Sequence, residues 1–196
     1  MGDIMATFLG YDPGGLGKNG VAAIELGSIT PTVLDTALVR DASEAIVWLS
    51  KYSLNARALG IDTLLAWSLS GRRACDEELR SKYGGHSVIS QNSLYSAMTI
   101  NGAIVAKRMG LPAYESHPKL LLKTQDANVI RPAYHKSVSE KNTDHEGDAI
   151  IAAYCAAMGY TQRWSNDLFS EFEDDLEMVV PNARYPWFEN VQTQKS

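Results

Sequence analysis

Two short apolar segments, Thr7-Phe-Leu-Gly-Tyr-Asp12 and Ala58-Leu-Gly-Ile-Asp62, each end on an aspartate. That pair constrains the chain more than any other feature. A short apolar run bounded by turn residues reads as a buried strand, and Pro13-Gly14-Gly15 stops the first one. A carboxylate at the end of such a strand is costly unless it is paired or bound to a cation. If the two strands lie side by side and parallel, both carboxylates emerge at one edge of the sheet.

The segments between and after them fill in an α/β order. Val21–Glu25 reads as a hairpin partner of the first strand, and Thr32–Val39 is β-branched enough for a third. Asp41 can cap a helix over Ala42–Lys51, where Ala45, Ile46 and Leu49 fall at helical spacing. Strand, strand, strand, helix, strand is the opening order of the ribonuclease H topology. A polar insert follows from Thr63 to Gln91, with a charged helix over Arg73–Lys82. Asn92 or Ser93 can cap a long helix from Leu94 to Met109, stopped by Gly110. Leu111–Glu115 reads as a fifth strand, broken by His117-Pro118, and Lys119–Lys123 as a helical turn. Asn128–Lys141 is patterned weakly enough to be helix or loop. Thr143-Asp144-His145-Glu146 has the form of a capping box for a helix running to Met158. The expected fold is therefore a mixed five-stranded sheet flanked by helices over residues 1–162, with an inserted helical segment. Residues 163–196 form a C-terminal appendage that packs on the domain or extends from it.

Composition bounds what such a domain can do. With 196 residues and 45% apolar content, the chain can bury a real core. No apolar run approaches the ~20 residues needed to span a bilayer, and Met1–Phe8 lacks the pattern of a secretion signal. Cys75 and Cys155 make no disulfide framework, which points to reduced thiols in a cytoplasmic protein. The net charge is −5, of which residues 163–196 carry −4, so that segment can meet a protein partner. The rest is close to neutral and lacks the positive field that drives strong non-specific binding to nucleic acid.

Three acids stand out by position. Asp12 and Asp62 end strands, while Asp148 lies in the second turn of the last helix beside Gly147. Ala149, Ala152, Ala153, Ala156 and Ala157 give that helix a small-residue surface that can press closely on a sheet and deliver Asp148 to the strand ends. Converging carboxylates suit Mg²⁺ or Mn²⁺, which take hard oxygen ligands, and a pair of such ions about 4 Å apart can serve phosphodiester hydrolysis. His145 shares a helix face with Asp148 and can ligate metal or move protons near neutral pH. Each residue also has a plainer reading. Asp12 can be a turn former, Asp62 a cap, Asp148 half of an ion pair, Asp144 a partner of the helix dipole, and His145 a surface residue.

The same positions carry a resemblance. Gly10-Tyr-Asp12-Pro-Gly14, with Gly20-Val-Ala-Ala-Ile24, resembles the opening hairpin of RuvC-type Holliday junction resolvases, and His145-Glu-Gly-Asp148-Ala149 resembles their H-x-x-D-A segment. The chain is more similar to a family of uncharacterised predicted nucleases with an RNase H-like fold. That likeness adds Gly60-Ile-Asp62, Gly71–Arg80 and Tyr114-Glu115-Ser-His117-Pro118, and spans Phe8–Met158. It implies a catalytic, metal-binding set of Asp12, Asp62 and Asp148, with His145 as auxiliary. Resolvases carry Glu on the middle strand, so Asp62 is one methylene short. Arg73 and Arg80, on one helical face, can bind substrate phosphate or pair with Asp76 and Glu77. Glu115 and His117 can line the site or close a core edge. Lys119 and Lys123 read as a solvated face, and Tyr95, Tyr114, Tyr134 and Tyr154 as base-stacking or packing residues.

Three functions compete. The first is a metal-dependent nuclease acting on nucleic acid, with a homodimer as one expected assembly. The second is a catalytically silent RNase H-like binding or scaffold protein. The third, a phosphotransferase of the actin and sugar-kinase type, needs two such domains around a cleft, and this chain supplies one.

Overall fold

The computed structural model describes residues 6–27, 30–84, 96–172 and 175–191. Three strands open the chain: β1 (Ala6–Asp12), β2 (Asn19–Leu26) and β3 (Pro31–Val39). Helix α1 (Ala42–Ser50) follows, capped as expected by Asp41, whose side chain accepts from the Ser43 and Glu44 amides. Next come β4 (Ala56–Ile61), β5 (Ala66–Ser68), α2 (Ala74–Tyr83) and α3 (Ser96–Met109). Gly110, with φ +65, ends α3. The expected cap at Asn92 or Ser93 lies outside the described residues, as does Tyr95.

Strand β6 (Ala113–Glu115) leads to the one-turn helix α4 (Pro118–Leu121) and then α5 (Arg131–Lys141). The weakly patterned stretch is thus helical, with Pro132 in its first turn. The last long helix, α6, spans His145–Tyr160. Short elements close the chain: β7 (Asn166–Asp167), α7 (Leu168–Glu171), β8 (Leu176–Met178) and β9 (Pro186–Trp187).

Five strands form one mixed sheet in the order β3-β2-β1-β4-β6. Strand β2 runs antiparallel to both neighbours, while β1, β4 and β6 are parallel. Alternation along β1 divides the core. Phe8 points to one cluster, built with Ala22, Ile24 and Ala58 against α6. Leu9 and Tyr11 point to the other, packed against α1 and α3. Both faces are covered, which explains why the central strands read as continuous apolar runs rather than as alternating ones. Each fully buried Phe or Ile contributes about 1.5–3 kcal/mol by leaving water.

Three glycines on adjacent strands set the height of α6 over the sheet. A Cβ at Gly10 would lie 1.9 Å from the Ala149 carbonyl oxygen, one at Gly60 1.8 Å from that of Ala152, and one at Gly20 2.0 Å from that of His145. Gly10 and Gly60 are register partners. The alanine-rich helix therefore rests directly on strand backbone. A helix at normal side-chain separation would hold its first turn several ångströms away.

The C-terminal segment packs into the domain. Trp164, Leu168, Tyr185 and Trp187 are buried in the cluster beneath α6, and Arg184 bridges Tyr114 as an extra parallel rung beyond β6. Strand β8 pairs with β5, and β9 with β7. No described helix is long and apolar enough to cross a membrane.

Candidate metal centre

Asp12 closes β1, and Asp62 immediately follows β4. The Asp62 amide donates to the Tyr11 carbonyl (2.9 Å), continuing the parallel register by one residue. Asp12 and Asp62 therefore leave the same end of the sheet on neighbouring strands, two residues beyond Gly10 and Gly60. Helix α6 crosses those glycines and brings His145 and Asp148 over the same end. His145 Nδ1 lies 2.6 Å from Asp12 Oδ2.

The acids share a field. Burial raises the Asp12 carboxyl above its ordinary value, while the hydrogen bond and charge of His145 pull it back in part. Part of the Asp62 surface stays accessible, yet removal from bulk water, followed by the charges of Asp12 and Asp148, pushes it well up. Burial likewise raises Asp148 to about 7, against the opposing pull of Lys119. His145 is raised by its hydrogen bond to Asp12. Like charges crowded into a poorly solvated site disfavour ionisation together.

The donor set is of the type a hard cation takes. Asp148 Oδ1 is buried with no hydrogen-bond partner. A carboxylate oxygen placed so is expensive unless a cation or a proton satisfies it. Carboxylates from Asp12, Asp62 and Asp148 are the oxygen ligands that Mg²⁺ and Mn²⁺ select.

Lys119 is the residue that sequence reasoning put elsewhere. In place of a solvated face, its ammonium donates to Asp144 Oδ2 (2.7 Å) and the Tyr134 hydroxyl (2.9 Å), and lies 2.8 Å from Asp148 Oδ2. Those partners raise its pKa despite the opposing effect of burial, and lower that of Asp144. Lys123 turns away to the Tyr83 carbonyl (3.1 Å). Nor does Glu146 complete a capping box. It is buried and accepts from Thr36 Oγ1 on β3 (2.9 Å), while Thr143 Oγ1 meets only the His145 amide at 3.5 Å. Helix α6 is thus tied to β3 by the residue expected to cap it.

The remaining candidates gather in a second cluster. Asp76, Glu115 and His117 place ligand atoms within 4.8 Å of one another, but the Arg73 guanidinium fills their midst. Arg73 donates to both Asp76 oxygens (2.7 Å each), to Glu115 (2.9 and 2.5 Å) and to the Ala66 carbonyl (3.2 Å). His117 Nε2 meets Glu115 Oε1 at 2.9 Å, and the Leu65 amide donates to Glu115 Oε2 at 2.6 Å. Burial works to raise Glu115, yet the Arg73 charge and the hydrogen bonds prevail and hold it at about 2. Phe169 covers the guanidinium at 5.7 Å, and Tyr185 the imidazole at 5.3 Å. Arg73, Glu115 and His117 are thus interior side chains with filled partners, whereas Arg80 sits half-buried further along α2. Tyr114 and Tyr154 are core residues, and the Tyr134 ring lies under the Lys119 ammonium.

Comparison with solved structures finds a likeness of shape. T. thermophilus RuvC in complex with a Holliday junction substrate aligns at a TM-score of 0.43 with 14% sequence identity, over 80% of this chain and 95% of that one. No protein-family profile matches the chain. No curated protein matches it.

Proposed function

We propose that the protein is a metal-dependent nuclease with a ribonuclease H-like fold, hydrolysing phosphodiester bonds at the end of β1 and β4. Support for the fold comes from the order β3-β2-β1-β4-β6 with β2 alone reversed. Supporting the function are Asp12 and Asp62 at one end of the sheet, the charges of Asp12 and Asp148 that help raise Asp62, and Asp148 Oδ1, which is buried and unpartnered.

In this reading Asp12, Asp62 and Asp148 hold Mg²⁺ or Mn²⁺, which when bound supplies positive charge to the phosphoryl oxygens and the leaving oxygen. Asp12 and His145 orient each other, and His145, raised above its ordinary value by that hydrogen bond, can exchange a proton through its exposed edge. Lys119 balances the charges of Asp148 and Asp144. Arg73, Glu115 and His117 fix the end of β6 from within. The test is Mn²⁺-dependent cleavage of single-stranded, duplex and RNA–DNA hybrid substrates, with Asp12→Asn as comparison. Activity in the wild type that Asp12→Asn removes is expected; activity surviving the change excludes this site.

One observation favours a second reading, a silent scaffold of the same fold. The Lys119 ammonium already lies against Asp144 and Asp148, neutralising charge that a metal would otherwise balance. Titration calorimetry separates the two. Heat of Mn²⁺ binding in the low-millimolar range that Asp148→Asn abolishes supports the nuclease, and its absence supports the scaffold.

A further inference from the structure

The turn joining β1 to β2 displays Leu16 at its tip with 80% of its surface in solvent, between Gly15 and Gly17 and two residues before the exposed Lys18. The turn beneath is built. Asn19, 1% exposed, accepts at Oδ1 from the Tyr11 hydroxyl (2.8 Å) and the Gly14 amide (3.3 Å). Its Nδ2 donates to the carbonyls of Gly15 (3.0 Å) and Arg40 (3.1 Å). The Gly17 amide donates to Arg40 O (2.7 Å), and that of Lys18 to Gly15 O (2.9 Å). Gly14 packs so closely that a Cβ would sit 1.7 Å from the Lys18 carbonyl oxygen. A buried polar side chain spends its whole hydrogen-bonding capacity on holding this turn in one shape.

Position gives that shape a use. The turn connects Asp12 to its register partner Gly20, over which His145 sits. Leu16 is four residues from Asp12, hence at most about 14 Å away along the chain, or roughly four base steps of a duplex at about 3.4 Å each. Apolar wedges are a known means of parting stacked bases, and a lysine beside one can take the flanking phosphate. Opening an intact stack is costly, and the nearly neutral body of the protein offers little general attraction to offset it. Such a wedge therefore favours a step whose stacking is already broken. Leu54 is more exposed still, at 98%, but stands just before β4, at the opposite end of the sheet from Asp62.

We infer that Leu16 is a specificity-determining wedge, with Lys18 as its phosphate contact, selecting a DNA duplex interrupted by an unpaired nucleotide over a fully paired one. This rests on the nuclease reading for its substrate class but is read out by binding. The probes are a labelled 20-base-pair duplex and the same duplex with one bulged nucleotide, titrated in Ca²⁺, with 2-aminopurine beside the bulge to report stacking. The wild type is expected to bind the bulged duplex about tenfold tighter and to brighten the 2-aminopurine. Leu16→Ser brings the ratio close to one and removes the brightening, while Leu54→Ser keeps both. A preference that Leu16→Ser leaves intact, or a wild type with no preference, overturns the wedge. Cleavage that depends on Asp12 alongside an unchanged Leu16→Ser ratio sinks the wedge alone. A Leu16-dependent preference without cleavage of any substrate sinks the nuclease reading alone.

Discussion

His145 Nδ1 and Asp12 Oδ2 meet at 2.6 Å across 133 residues of chain, joining the last long helix, α6, to the first strand at the sheet end where Asp62 also emerges. The contact exists because α6 lies on the glycines of β1, β2 and β4, which puts its first turn level with the strand ends. The hydrogen bond to Asp12 raises the His145 pKa above its ordinary 6.5. The folded protein therefore holds a proton on His145 that the unfolded chain releases. The resulting stability is fully present below pH 6.5 and is lost as pH rises through the folded value. His145→Ala is expected to cost about 1–2 kcal/mol at pH 6 and clearly less at pH 9, measured by urea unfolding at both. An equal cost at the two values would mean the contact is not charge-assisted.

Asp148 has the larger pH signature. Its carboxyl rises from an ordinary 3.8 to about 7, chiefly through burial. Between those values the folded protein keeps a proton that the unfolded chain has given up, so stability falls as pH climbs from about 4 to 7. The loss is on the order of a few kcal/mol at about 1.4 per unit. Metal-free protein should thus unfold at lower urea at pH 8 than at pH 5, and Asp148→Asn should flatten that slope. Mn²⁺ should stabilise the wild type more at pH 8 than at pH 5, because protons compete for the same oxygens. A slope unchanged in Asp148→Asn would remove Asp148 from the titrating cluster.

How much of this was legible in the chain depended on whether a signal was local. The strands ending on Asp12 and Asp62 could be read because burial on both faces makes them apolar throughout, and α6 because its alanines and Gly147 mark close packing. Lys119 was misread for a geometric reason. Pairing it with Lys123 assumed a helix long enough for i,i+4 neighbours, but α4 is a single turn beginning at Pro118, and it aims Lys119 at α6. The Thr143–Glu146 pattern matched a capping box, but no local rule reveals that Thr36, 110 residues away, takes the Glu146 carboxylate. Arg73 offered either pairing or phosphate binding, and only the fold of the C-terminal segment, which lays Phe169 and Tyr185 over the cluster, decided for the interior. The aromatics Trp164, Tyr185 and Trp187 were the available hint that residues beyond 162 carry core.

The spacing of α6 from the sheet gives the third expected outcome. Gly60→Ala would set a methyl 1.8 Å from a helix carbonyl oxygen, a backbone atom that cannot swing aside. The helix must lift, and overpacking of this kind costs about 1–3 kcal/mol or more. Lifting α6 also carries His145 and Asp148 away from Asp12, so Mn²⁺ stabilisation should fall more than the loss of stability alone explains. Gly15→Ala is the control, since a Cβ there meets nothing within 4 Å. Equal melting temperatures and equal metal effects in the two variants would contradict the close-contact account.

Arg73 separates structural charge from functional charge. Its side chain has no exposure and is shared between Asp76 and Glu115, which are also buried. Arg73→Met leaves two carboxylates in the interior with only His117 and amide donors to answer them. Removing one partner of a buried ion pair costs about 3–5 kcal/mol, and the remaining acids should take up protons instead. The variant should therefore be severely destabilised at pH 7.5 and recover part of its stability toward pH 5, whereas loss of an exposed phosphate-binding arginine would change stability little at either pH. Arg80→Met, at a half-buried position of the same helix, should change the urea midpoint far less. If Arg73→Met folds as well as the wild type at pH 7.5, the guanidinium is dispensable to the core and its assignment to the interior ion network fails.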